Sequence, residues 1–132
     1  MRRRPFRQDF SGATNLVGYL KGSAEPGRFT VLTAHYDHLG VRDGLVYPGA
    51  DDDASGVAAM LAAADYFARH QPRRSIFFVA FDGEEEGLQG SRYFVAHPPV
   101  ELSSLALEIN LDMVGRGDRN DLVVAARTTR RS

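Results

Sequence analysis

Apolar residues fall along this chain in several short runs and one longer helical stripe. Residues 16–20 and 29–34 read as strands, separated by the turn-forming stretch Ser23-Ala24-Glu25-Pro26-Gly27, so an antiparallel hairpin is expected. From Val57 the apolar positions Val57, Met60, Leu61, Ala64, Phe67 and Ala68 follow helical spacing. Asp53 or Ser55 is placed to cap that helix, and Pro72 lies just beyond its end. Residues 76–81 form a continuous apolar run, the pattern of a strand covered on both faces. Residues 91–96 predict a second, short helix stopped by Pro98-Pro99; residues 105–111 predict another strand, and residues 122–125 begin one more. Strands alternating with helices predict an α/β layered fold with a mostly parallel sheet. No internal repeat or linker divides the chain, so residues 1–132 read as a single domain, with residues 1–14 and 127–132 expected to carry little order.

Composition narrows the chemistry. With no cysteine, disulfides and thiolate zinc sites are excluded. A net charge of −1 gives no reason to expect nucleic acid or an anionic membrane as partner. Arginines crowd both ends, at Arg2, Arg3, Arg4 and Arg7 and at Arg127, Arg130 and Arg131, and read as solvated termini. The first arginines resemble the charged start of a signal peptide, but no apolar stretch follows them in residues 5–15. No run reaches the length of a membrane span. A soluble protein is expected, with compartment and oligomeric state left open.

The acidic residues are more informative. Asp51-Asp52-Asp53 places three carboxylates side by side, where mutual repulsion resists joint ionisation unless a cation or strong donors compensate. His35, Glu84-Glu85 and Asp112 each stand just after a predicted strand. In parallel sheets ligands gather beyond the carboxyl ends of the strands, so three segments converge on one rim. These nitrogen and oxygen donors suit a divalent metal. A metal-dependent hydrolase also needs a free carboxylate to deprotonate water, and adjacent Glu84 and Glu85 can divide proton transfer from metal binding. Asp37 is close enough in sequence to fix the second nitrogen of His35.

Four motifs then stand in a recognisable order: His35-Tyr36-Asp37-His38-Leu39-Gly40, the run from Gly49 through Asp51-Asp52-Asp53 to Gly56, Glu84-Glu85-Glu86-Gly87-Leu88-Gln89-Gly90-Ser91, and Asn110-Leu111-Asp112-Met113. Together they resemble the co-catalytic zinc aminopeptidases, metallopeptidase family 28. The resemblance implies a three-layer α/β/α sandwich around a mixed, mostly parallel sheet, and a peptide substrate trimmed from its N-terminus. It implies two Zn2+ ions bridged by Asp52, with His35 and Asp112 completing one site and Glu85 holding the other metal. Glu84 would be the general base and Asp37 the partner of the ligand histidine, and the Asp52–Asp53 peptide would be cis. Complete relatives are often secreted or periplasmic.

The family's second site also takes a histidine from a motif well downstream of Asp112, which His38, His70 and His97 do not match. The resemblance therefore casts the chain as the front part of a catalytic domain, with one tighter and one weaker zinc site and peptidase activity near background. Glutaminyl cyclases and acid-specific carboxypeptidases share the architecture, and a scaffold without metal is the non-enzymatic alternative. For Asp53 a helix cap is the alternative to a role near metal, Glu86 reads as a solvated charge, and Asp82 has no assigned role. Glu108, in a strand expected to be buried, has no account from sequence alone.

Overall fold

The computed structural model describes residues 5–117. Its elements run β1 (Phe6–Phe10), β2 (Ala13–Leu20), β3 (Glu25–His35), β4 (Gly40–Arg42), β5 (Leu45–Tyr47), α1 (Ala54–Arg69), β6 (Arg74–Phe81), α2 (Gln89–Ala96) and β7 (Leu105–Asn110). A five-stranded sheet has the order β1-β2-β6-β3-β7, and β4 pairs with β5 in a separate hairpin. β6, β3 and β7 are mutually parallel, whereas β2 pairs antiparallel with β6 and β1 pairs antiparallel with β2.

Side-chain alternation on β6 explains its central place. Ile76, Phe78 and Ala80 face α1, where they meet Met60, Leu32 and Ala34. Phe77, Val79 and Phe81 face the other way, toward Phe94 of α2 together with Val17, Phe29 and Val31. The Phe29 and Phe77 rings stack with centroids 4.9 Å apart. A strand apolar on both faces gains most from the middle of a sheet, where each buried large side chain contributes about 1.5–3 kcal/mol. The two helices thus cover opposite faces, giving the α/β/α layering expected.

That placement corrects the expected hairpin. β2 and β3 do run in opposite directions, but β6 lies between them and pairs with both. Their connection passes over the start of β6, with the Ser23 amide donating to the Pro72 carbonyl at 2.8 Å and the Glu25 amide to the Arg73 carbonyl at 2.8 Å. The expectation of little order over residues 1–14 is also corrected for residues 5–14. Phe6–Phe10 pairs with β2 in register from Phe6↔Val17 to Phe10↔Ala13, and the Phe10 ring stacks on Tyr93 of α2. Residues 1–4, the strand predicted at 122–125 and the expected loose end at 127–132 lie outside the described residues.

Candidate metal centre

Because β3, β6 and β7 are parallel, their carboxyl ends open onto one rim, and the loops that follow carry the polar residues. His35, the last residue of β3, is 4% exposed. Its Nδ1 lies 3.0 Å from the Asp37 backbone carbonyl and its Nε2 lies 2.9 Å from Asp52 Oδ1. Burial acts to lower the imidazole pKa, but the charges of Asp53, Glu84 and Asp112, with the Asp37 carbonyl, outweigh it and raise it. With Nδ1–H given to the carbonyl, Nε2 directs its lone pair at a carboxylate, a pairing that either a proton or a metal ion would reconcile.

Asp37 does more than support the ring. Its Oδ1 accepts from the Glu84 amide at 3.1 Å and its Oδ2 from the Glu85 amide at 3.1 Å. The residue thus orients His35 through its main chain and locks the Glu84-Glu85 turn through its side chain. Glu84 has its pKa raised by burial; His35 opposes this, while Glu85, Asp112 and Asp37 add to it. A carboxylate with raised proton affinity is suited to taking a proton from water.

The acidic run divides by environment. Asp53 is buried and caps α1: its Oδ1 accepts from the amides of Gly56 at 3.1 Å and Met113 at 3.2 Å, and its Oδ2 from His35 at 3.2 Å. Burial pushes its pKa up, and those backbone donors oppose the shift. A Cβ on Gly56 would lie 2.3 Å from the Leu111 carbonyl oxygen, so only glycine lets the helix start pack this closely against the Asp112 loop. Asp51 Oδ1 accepts from the Gly115 amide at 3.0 Å and ties the same loop down. The Asp52–Asp53 peptide is cis.

Two groups of potential ligands result, His35 with Asp53 and Asp112, and His38 with Asp52 and Glu85; within each, the donor atoms lie within 4.8 Å of one another. Asp52 faces both groups, with Oδ1 2.9 Å from His35 Nε2 and Oδ2 4.0 Å from His38 Nδ1. The donors are all imidazole nitrogen and carboxylate oxygen, which fits Zn2+ without thiolates. His35, Asp52, Glu85 and Asp112 are thus gathered on one rim with Glu84 and Asp37. Asp53 enters the first group, although its three backbone donors mark it as the carboxylate that organises the others.

The remaining acids have structural partners. Asp82 Oδ2 accepts from the Thr14 amide at 2.8 Å and from the Tyr36 hydroxyl at 3.1 Å, and burial together with that bond pushes the Tyr36 phenol up to about 12. Glu86 is exposed, as expected. Glu108 is exposed rather than buried, because nothing among the described residues pairs with the far side of β7; its Oε1 lies 2.8 Å from Thr33 Oγ1. His70 and His97 stack on Tyr66 and Tyr93 at the ends of α1 and α2. Sequence reasoning overlooked Asn15, fully buried, which accepts from the Asp82 amide at 3.2 Å and donates to the Gly90 carbonyl at 2.9 Å. Its only sequence signal was a polar residue opening the strand run at residues 16–20.

The chain matches the model of peptidase family M28 over residues 15–132. A probable zinc metalloprotease of Pyrenophora tritici-repentis is 42% identical over 112 residues, covering 82% of this chain and 26% of that protein. A zinc aminopeptidase from Bacillus subtilis superposes with a TM-score of 0.66 at 36% identity, over 77% of this chain and 24% of that one. A glutaminyl cyclase from Bacteroides thetaiotaomicron gives a TM-score of 0.69 at 28% identity, over 81% and 44%. The chain spans about a quarter of the length of the first two.

Proposed function

The chain belongs to peptidase family M28, and from that premise we propose that it carries the metal-binding catalytic face of a zinc-dependent aminopeptidase. The observation that carries this reading is the position of Asp52, one oxygen toward each donor group, beside a glutamate pair clamped by Asp37. Asp52 would bridge two Zn2+ ions, His35 and Asp112 would hold one, and Glu85 the other. When bound, such a pair acidifies a shared water and polarises the scissile carbonyl.

This chain's own residues then divide the work. Glu84, with its raised proton affinity, takes the proton from the water and returns it to the departing amine. Asp37 keeps Glu84 and Glu85 pointing to their separate tasks by holding both amides. Asp53 fixes the entry of α1 against the Asp112 loop, so the ligands from β3 and β7 stay in register. A cleft lined by His35, Phe81, Glu84, Glu108, Asn110 and Asp112 opens beside these groups and is where the N-terminal residue of a peptide would sit.

Similarity to a glutaminyl cyclase favours a second reading, cyclisation of N-terminal glutamine. The Glu84-Glu85 pair beside a carboxylate facing two donor groups supports hydrolysis instead. Zinc analysis with paired assays on leucine anilide and an N-terminal glutamine peptide separates them. Zinc uptake is expected, with anilide cleavage near background for this chain and robust in a version extended through the family's downstream histidine motif; cyclisation without cleavage in that version, or a protein that takes up no zinc, would overturn the proposal.

A further inference from the structure

Tyr36 stands between His35 and Asp37, and neither it nor Asp82 has a part in the function proposed above. We infer that Tyr36 and Asp82 are a positioning pair that fixes the loop after β3 against the loop after β6, so that His35 and the Glu84-Glu85 pair face a common centre. The inference rests on the zinc reading and goes beyond it by naming two residues that act through the ligands without touching an ion.

Three observations carry it. First, β6 lies between β2 and β3, so a side chain after β3 must cross a whole strand to reach β2, roughly 10 Å at ordinary sheet spacing. Tyr36 does so. Its amide donates to the Phe81 carbonyl at 3.0 Å, and its hydroxyl lies 2.6 Å from the Thr14 carbonyl on β2 and 3.1 Å from Asp82 Oδ2. One residue thus ties together the ends of three strands.

Second, Asp82 is placed to pass this constraint to the glutamate pair. Its Oδ2 also accepts from the Thr14 amide at 2.8 Å, and its Oδ1 from the amide of Gly83, the residue before Glu84, at 3.0 Å. Asp37 holds the Glu84 and Glu85 amides from the other side, so Tyr36 is bonded to one clamp and adjoins the other. The loop has little room to shift: a Cβ on Gly83, where φ is 66°, would stand 3.3 Å from Gln89 Cβ, and one on Gly90 would stand 2.4 Å from the Asp82 carbonyl oxygen. Third, the site calls for a carboxylate. The Asp82 side chain meets three donors, the Thr14 and Gly83 amides and the Tyr36 hydroxyl. An ionised carboxylate only accepts, whereas an asparagine would turn its NH2 toward at least one of those donors. Among the described residues no lysine or arginine forms an ion pair with Asp82, so a salt bridge does not account for it.

The test compares the unmodified 132-residue chain with Tyr36→Phe, Asp82→Asn and, as a control, Tyr66→Phe at an exposed α1 tyrosine. Zinc affinity is read by competition with a chromogenic chelator, amide hydrogen exchange on the metal-free chain, and stability by thermal melting. Tyr36→Phe and Asp82→Asn should each weaken zinc binding by about 10–100-fold, the range for loss of a group that supports metal ligands, and Tyr66→Phe should leave it unchanged. In metal-free Tyr36→Phe the Glu84 and Glu85 amides should exchange faster. The Phe77 and Val79 amides and the melting midpoint should stay as in the unmodified chain, a local opening that a merely structural role would not give. Unchanged zinc affinity with unchanged Glu84 and Glu85 exchange in Tyr36→Phe would overturn this inference alone. So would faster exchange at all four amides with a lowered midpoint. An unmodified chain that takes up no zinc, with the Glu84 and Glu85 amides still released by Tyr36→Phe, would bring down the zinc reading and leave the pair as the holder of the loop.

Discussion

β6 and β7 flank β3, run parallel to it and both end in loops that carry candidate site residues, yet their surroundings differ sharply. Ile76, Phe77 and Val79 of β6 are almost wholly buried, between α1 and α2. Leu107 and Ile109 of β7 are 51% and 41% exposed, because among the described residues only β3 pairs with β7. The loop after β6 inherits the rigidity of its strand and gains more from Asp37 and Asn15. The loop after β7 is held by Asp51, Asp53 and the Leu111 amide, which donates to the Thr33 carbonyl at 2.8 Å. Site geometry on an exposed strand is thus secured by hydrogen bonds to the acidic run rather than by apolar burial.

The widest separation between the strands lies in the roles of their loops. In a version extended through the family's downstream histidine motif, Glu84→Gln, after β6, should cut turnover by about 10²–10⁴-fold with zinc content unchanged, whereas Asp112→Asn, after β7, should lower zinc content itself. Paired kinetics and metal analysis check this, and exchanged phenotypes would invert the assignment. Next in size are the strand interiors. Phe77→Ala should cost about 3–5 kcal/mol in urea unfolding, while Ile109→Thr on exposed β7 should stay within about 0.5 kcal/mol. Equal costs would show that β7 is covered in solution.

The loops offer a finer comparison. Asn15→Ala takes partners from the half-buried Asp82 amide and the buried Gly90 carbonyl and should cost about 1–3 kcal/mol, read by thermal melting. The smallest effect belongs at the opposite end of β6, where Glu25 pairs with Arg74 at 3.2 Å and Arg73 at 3.4 Å. Hydrogen bonding and charge from Arg74 and Arg73 lower the Glu25 pKa below its ordinary 4.5. A depressed carboxylate contributes stability above its unfolded pKa and loses it as pH falls through the folded value. The melting difference between the unmodified chain and Glu25→Gln should therefore be small at pH 7, smaller in high salt, and absent in strong acid.

Much of this was legible from residue order. Helical spacing from Val57 marked α1, which spans Ala54–Arg69, and the two-faced apolar run marked β6. His35, Glu84-Glu85 and Asp112 were readable as rim residues because each follows an apolar strand. β1 escaped notice because Phe6–Phe10 alternates too briefly among arginine, glutamine and aspartate. Glu108 was misjudged because a strand's pattern does not say whether a neighbour covers it.

The sequence alone determined the layered α/β class, the family and the set of donor-bearing motifs, since these depend on local periodicity and short-range order. Only the tertiary structure decided that β6 separates β2 from β3, that Asp53 is a buried cap, and that His38 meets Glu85. Each joins residues distant along the chain, and local pattern is blind to which strand wins a contested place in the sheet. That choice is made by the total apolar surface buried and by the buried polar atoms that must find partners, both properties of the assembled fold.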